Sequence, residues 1–220
     1  MQIDSNWIGD ENLTQVVYRH IKEMMFDYQI VPGQRLVFID LAKRLGVSRT
    51  PVNNALSILA NEGFLDFVPN QGYSVHEISK EEATCLYEIR EILELGAIEN
   101  AIQKQTPQKL KVLEEQKRLY EEAVAEQVSR GRFTLDQEFH ATYVHMAENP
   151  YLTDYFREIY QRIFLRHRIE GLRAGRARNV VIEHQQIFNA FVSGDQKKAK
   201  DLVRDHIRTG KEYIFSSIFK

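Results

Sequence analysis

Only one cysteine, Cys85, occurs in the 220 residues. An internal disulfide is thereby excluded, and a reducing, cytoplasmic compartment suits the chain. Cys85 itself reads as a small buried hydrophobe. No apolar run approaches the ~18–20 residues that a membrane span needs. The opening MQIDSNWIGDEN has neither a basic stretch nor an apolar core, so a secretory signal is not expected. Repeats and low-complexity tracts are missing too. So is an excess of basic charge: the chain totals −2. Residues 1–78 hold six Lys/Arg against nine Asp/Glu, a net of −3. A strongly basic nucleic-acid module is therefore excluded. A local one is not, because Arg35, Lys43, Arg44 and Arg49 stand against Asp40 alone within 35–54. Any positive footprint is short, and doubling it in a dimer strengthens it against salt.

Apolar residues are plentiful. At 43% hydrophobic, 220 residues suffice for two packed domains. Residues 12–28 carry apolar side chains at helical spacing. Pro32-Gly33 forces a turn. A second helix turns Leu41, Ala42 and Leu45 inward and ends at Gly46, which tolerates positive φ. Ser48 stands where a hydroxyl caps the next helix, and Pro51 lies in its first turn. That helix, 49–62, has one apolar stripe of Val52, Ala55, Leu56 and Leu59. Its other side is left to Arg49, Thr50, Asn53, Asn54 and Ser57. Gly63 closes it. Phe64–Val68 and Tyr73–Val75 then flank Pro69-Asn-Gln-Gly72 and read as a hairpin. Three helices and a hairpin make a winged helix-turn-helix. A boundary near His76–Ser79 separates domain 1–78 from domain 79–220, which the capping-box pattern Ser79-Lys-Glu-Glu82 opens. Helices are expected at about 80–104, 107–129, 133–147, 151–173, 178–193 and 195–218. The fold class is mainly α, with an all-α six-helix bundle behind the winged domain.

The polar side of helix 49–62 has groups that read DNA: Arg pairs with guanine, Asn with adenine, and Ser48 and Thr50 can hold phosphate. Solvation alone also leaves a polar face. Further positions speak to the choice: Pro32-Gly-Gln-Arg-Leu36, Leu41-Ala42, Leu45-Gly-Val-Ser-Arg-Thr-Pro-Val52, Ala55-Leu56, Leu59, Glu62-Gly63 and the wing Gly72. In this order they resemble the DNA-binding domain of GntR-family transcriptional regulators. The resemblance implies that helix 49–62 enters the major groove of double-stranded DNA, that Arg49 contacts base or backbone, and that the wing near Gly72 approaches the minor groove. It also implies a homodimer on a short palindrome. Arg35, Ser48, Arg49, Thr50, Asn53, Asn54 and Gly72 are thus the expected DNA contacts. Members of the family usually carry arginine where Asn53 stands, often an acid at Asn54, and in some cases arginine at Ile39. The departures imply an altered half-site.

In the second domain Asp136 and His140 share a helix face at i, i+4, and Tyr143 continues their row. His184 lies on the stripe of Val181, Phe188 and Phe191, and His206 on that of Ala199, Leu202, Gly210 and Tyr213. Buried histidines must find partners. One metal would satisfy all four residues; three separate bonds to carbonyls or carboxylates would also do. His145 and His167 read as surface, and Arg166, Arg168 and Arg173 as a solvated face. Arg90-Glu-Ile-Leu-Glu94, Asp136-Gln-Glu-Phe-His140, Glu183-His184 with Ile187 and Ala190, Gly194-Asp195 with Ala199, and Asp205-His206 resemble the FCD ligand-binding domain of FadR-like GntR regulators. Six helices suggest its VanR-like subgroup. The resemblance implies a divalent metal on Asp136, His140, His184 and His206. Three imidazoles and a carboxylate suit zinc or nickel, with manganese as a further choice. It also implies a small organic acid bound through its carboxylate. Arg90 either clamps a second anionic group or pairs with Glu94, and Tyr143 either lines the cavity or packs in the core. An enzyme is not expected, because no further carboxylate or lysine is placed as a general base. The expected function is a metabolite-responsive transcriptional regulator, a repressor by type.

Overall fold

The computed structural model describes residues 12–126, 132–165 and 174–219. It divides into two compact units between Ile78 and Ser79. The first begins with α1 (Leu13–Phe26), β1 (Arg35–Leu36), α2 (Phe38–Leu45) and α3 (Arg49–Asn61). It closes with β2 (Leu65–Val68) and β3 (Gly72–Val75). The strands form one antiparallel sheet in the order β1-β3-β2, with Leu36 opposite Tyr73 and Phe67 opposite Tyr73 from the other side. This is the winged helix-turn-helix arrangement. Val17, Ile21 and Met25 of α1, Leu41 and Leu45 of α2, Val52, Ala55, Leu56 and Leu59 of α3, and Phe64, Leu65 and Val75 of the wing form its core. The stripe expected on α3 is fully buried. Burial of these groups supplies the bulk of the unit's stability, at roughly 1.5–3 kcal/mol per large side chain.

The turn from α2 to α3 depends on Gly46, whose φ of 73° lies in the left-handed region. Its N–H closes α2 onto Ala42 O. Ser48 occupies the N-cap position of α3, in extended conformation, but its side chain makes no capping hydrogen bond. Asn12, Ser79, Thr106 and Asp195, by contrast, each cap their helices. The wing turn brings Asn70 and Gly72 to positive φ. Arg35 reaches across from β1 and donates Nε to Gln71 O at 2.9 Å, tying the wing tip to the sheet edge.

The second unit is helical throughout its described residues. It comprises α4 (Lys80–Gln103), α5 (Pro107–Ala125), α6 (Arg132–Met146), α7 (Pro150–Leu165), α8 (Ala174–Val192) and α9 (Gln196–Ile218). Helix α4 packs on α6 and α9, α5 on α6 and α8, and α8 on α9. Ser79 Oγ accepts from Glu82 N at 3.1 Å, the first half of a capping box. Helix α8 begins one turn before the expected 178. Arg176 extends it backwards by reaching Glu183, two turns on, with both terminal nitrogens. Arg166, His167, Arg168 and Arg173 lie outside the described residues. Two burial expectations are corrected. Cys85 is exposed, because it sits on the outer face of α4. The inward row of α9 runs through Ala199, Val203, His206, Ile207 and Ile214, while Leu202 and Tyr213 are only half-buried. His145 is at the surface as expected.

Replacing Gly46 tests the turn. In Gly46→Ala a Cβ must take up the left-handed conformation, at a cost of about 1–2 kcal/mol. The expected outcome is a matching loss in urea unfolding followed by tryptophan-independent helical signal, with α2–α3 as the element weakened.

Candidate functional site

Four side chains from three helices converge inside the second unit. Asp136 and His140 come from α6, His184 from α8 and His206 from α9. Each offers one ligand atom, and these atoms all lie within 4.8 Å of one another. His140 and His184 are fully buried, His206 is 5% exposed, and the Asp136 side chain retains 13%. His140 Nε2 stands 3.1 Å from His206 Nε2. His184 Nε2 stands 3.3 Å from Asp136 Oδ1, without making a hydrogen bond.

The outer partners decide what those nitrogens present. His140 Nδ1 is 2.6 Å from Glu94 Oε2 and 2.7 Å from Tyr143 Oη. His206 Nδ1 is 2.6 Å from Glu183 Oε2. A carboxylate accepts only, so in each neutral ring the proton belongs on Nδ1. Both Nε2 atoms then turn lone pairs toward each other across 3.1 Å. Arg90 Nη2 lies 3.4 Å from both ring nitrogens of His140 and is the donor nearest its Nε2, and a proton or a cation between the two Nε2 atoms would relieve their facing lone pairs. His184 adds a stronger requirement, since neither of its ring nitrogens has a hydrogen-bond partner among the described residues. A buried polar atom left so costs roughly 1–3 kcal/mol. Its ring is fixed by stacking on Phe139, centroids 4.0 Å apart, and by Tyr120 at 4.9 Å.

The electrostatics fit ligand duty. Burial pushes the His184 imidazole down to about 3 and lowers that of His206, keeping both neutral. Burial works to raise the Asp136 carboxyl, but the surrounding imidazoles outweigh it and the group stays well below the ordinary range. Deprotonated carboxylate and neutral imidazole are the ligand forms a metal needs. Zinc–nitrogen bonds of about 2.0–2.1 Å at a tetrahedral angle set neighbouring ligand nitrogens about 3.3 Å apart, close to the 3.1 Å between His140 Nε2 and His206 Nε2. The residues therefore fit a divalent metal.

The surrounding shell includes residues that sequence reasoning left out. Tyr160 on α7 donates to Asp136 Oδ2 at 2.5 Å. Glu183 holds His206 on one side and Arg176 on the other. Glu94 was visible only as an i, i+4 partner of Arg90. It also holds His140, and it accepts the Tyr143 hydroxyl. Buried Glu94 is drawn down to about 2, because Arg90 and His140 outweigh the raising effect of burial. Arg90 donates Nε to Glu94 Oε1 at 2.5 Å, with its guanidinium over the Tyr160 ring at 4.8 Å. The ion-pair alternative for Arg90 is thus realised in this structure, and Tyr143 is a core residue as well as a neighbour of the centre. Glu183 could have been suspected as the residue before His184. That it serves His206, on the next helix, follows from helix packing alone.

In the first unit Ser48, Arg49, Thr50, Asn53 and Asn54 are all exposed on one side of α3. Arg49 has no ion pair among the described residues. Arg35 is exposed while holding the wing that carries Gly72.

Comparison with known proteins agrees with both halves. Residues 13–75 match the family described as bacterial regulatory proteins, gntR family, and residues 85–209 match the FCD domain. The HTH-type transcriptional regulator YdhC of Bacillus subtilis (strain 168) is 27% identical over 198 residues, covering 90% of this chain and 88% of YdhC. The Nta operon transcriptional regulator of Aminobacter aminovorans is 36% identical over 141 residues, covering 64% of this chain and 66% of that protein. Among solved structures, Escherichia coli McbR/YncC superposes with a TM-score of 0.84 at 23% identity, covering 94% of this chain and 99% of that one. That similarity is one of fold.

The role of Glu94 as counter-charge is open to test. Glu94→Ala leaves Arg90 buried and unpaired, and a loss of about 3–5 kcal/mol is expected in thermal unfolding. Adding Arg90→Met should recover most of it. Additive losses in the double variant would refute the pairing.

Proposed function

The chain belongs to the GntR family of bacterial regulators with an FCD domain, and from that premise we propose that it is a metabolite-responsive repressor that binds a palindromic operator as a homodimer. Its DNA-binding and effector-binding domains are residues 1–78 and 79–220. A divalent metal, zinc or nickel, held by Asp136, His140, His184 and His206, is part of the effector site. The observation that carries this reading is His184, buried with both nitrogens unpartnered beside two facing Nε2 lone pairs.

On DNA, α3 supplies Arg49 for a guanine edge or a phosphate and Asn53 and Asn54 for adenine edges, with Ser48 and Thr50 at phosphates. Arg35 sets the height of the wing at Gly72. A helix start also favours an anion, which compensates for a modest positive charge. In the second domain Glu94 and Glu183 hold His140 and His206 in the tautomer that aims Nε2 inward, and Phe139 keeps His184 in plane. A bound metal with one carboxylate and three imidazoles supplies open positions for a carboxylate oxygen of a small organic acid. Arg90 and Tyr143, both anchored on Glu94, are the proposed effector contacts. A ligand carboxylate can take over either hydrogen bond from Glu94, carboxylate for carboxylate. Such an exchange moves α4 relative to α6, and α4 is the helix joined to the DNA-binding domain through residues 76–80. The coupling requires the acid to bind the two DNA-binding states unequally.

Metal content is the first check. Protein purified without a histidine tag should carry one equivalent of divalent metal per chain, and chelation should lower the unfolding midpoint by about 5 °C or more. His184→Ala should lose both. Metal-free protein with no chelator shift would overturn the metal reading and leave three structural histidines.

DNA binding is the second. With a palindromic operator in a mobility-shift titration, Arg49→Ala should weaken binding by about 1–3 kcal/mol. A carboxylate that binds the second domain should shift operator affinity. A demonstrably bound acid that leaves this affinity unchanged would sink the effector mechanism.

A further inference from the structure

Asp136 brings two oxygens to the centre, and they are held differently. Oδ1 stands 3.3 Å from His184 Nε2, among the candidate ligand atoms. Oδ2 lies 2.5 Å from the hydroxyl of Tyr160, on α7. That hydroxyl has one proton to donate. The Phe133 carbonyl also lies in reach, at 3.4 Å, and the closer carboxylate takes the hydrogen bond. A hydrogen bond to an ionised acceptor is roughly twice as strong as one between neutral groups. Helix α7 supplies none of the four candidate ligands, so Tyr160 is how it reaches the centre. The ring has little freedom to leave. It is 1% exposed. It stacks on Phe164 with centroids 4.3 Å apart and packs beside Phe156 at 5.7 Å. The Arg90 guanidinium lies over it at 4.8 Å, a cation–π contact that fixes it further.

We propose that Tyr160 is a positioning residue: by holding Oδ2 it presents Asp136 to a metal through Oδ1 alone. The inference rests on the metal proposed above and adds how many positions its carboxylate ligand takes. A carboxylate can ligate through one oxygen or through both. Ligation through both would use a position that the carboxylate of the effector needs. Tyr160 keeps that position clear, as outer hydrogen-bond partners of ligating carboxylates orient them elsewhere. A hydroxyl that merely fills space between Arg90 and Phe164 would have no such effect, and its removal with the ring retained would leave metal affinity unchanged.

Zinc affinity separates the two. The full chain, without a histidine tag and stripped of metal, is titrated with zinc against a chromophoric chelator. Tyr160→Phe keeps the ring and its stacking and removes one hydroxyl. It should weaken zinc binding about tenfold or more with unchanged helical circular dichroism. Tyr18→Phe, which loses a hydroxyl bonded to Glu62 in the first unit, should bind zinc like wild type. Because Tyr160 acts through Asp136, the effect of Tyr160→Phe should vanish in an Asp136→Ala background, where three imidazoles remain. The cobalt(II)-loaded chain gives a spectroscopic readout: the visible absorption bands should move in Tyr160→Phe, because the released Oδ2 alters the ligand set. Equal zinc affinity and an equal cobalt spectrum in Tyr160→Phe and wild type would overturn the positioning role and leave the metal site standing. A loss of the same size with and without Asp136 would overturn it too. A wild-type chain that takes up no divalent metal would bring down the metal reading itself, and this inference with it.

Discussion

Two carboxylate–imidazole contacts govern the helical unit. Glu94 on His140 and Glu183 on His206 each place a proton on Nδ1 and free an Nε2. Neither carboxylate stands alone, since Arg90 neutralises the first and Arg176 the second. Without those arginines, buried Glu94 and half-buried Glu183 would lose their counter-charges and rise toward their neutral forms. A protonated acid no longer dictates the imidazole tautomer. The centre thus depends on residues outside the four candidate ligands, drawn from α4 and α8, while its own atoms come from α6, α8 and α9. This is why the bundle cannot be split into a scaffold and a site: the pairs that order the imidazoles also fasten α4 to α6 and α8 to α9.

The first unit solves a different problem. It must hold DNA with little charge. A net negative domain leaves long-range attraction weak, so contact has to come from position. The fold meets this by concentrating exposed polar groups at the start of α3 and by fastening the wing with Arg35. That arginine is partly committed to structure. The charge available to a duplex is correspondingly carried by Arg49 and Lys43, both exposed.

Most of the architecture could be read from the residues. The apolar stripe of α3, the glycine at 46 and the cap at Ser79 each have a local cause, and local causes leave periodic or positional traces. So does the i, i+4 placement of Asp136 and His140. What could not be read was tertiary. Glu183 precedes His184 yet holds His206, because successive residues on a helix diverge by about 100° and only the packing of α8 on α9 says what each one meets. Tyr160 lies on α7 with nothing in its neighbourhood to mark it as a partner of Asp136. Ser48 takes the N-cap position without the side-chain hydrogen bond that its residue type suggests, which local preference alone had no means to foresee. Cys85 was assigned to the interior on the habit of its residue type, and the outer face of α4 overrode that habit.

Ser48 has one more consequence. A helix whose first amides find no side-chain acceptor begins about 1 kcal/mol less stable than a capped one. Those amides stay open to water or to an acceptor from outside the helix. When an anionic oxygen replaces that water, the first turn acquires the acceptor it lacked, and the dipole of α3 adds to the gain. The start of the helix is then completed by what it binds. A better-capped variant would be sturdier alone and would have less to gain from its ligand.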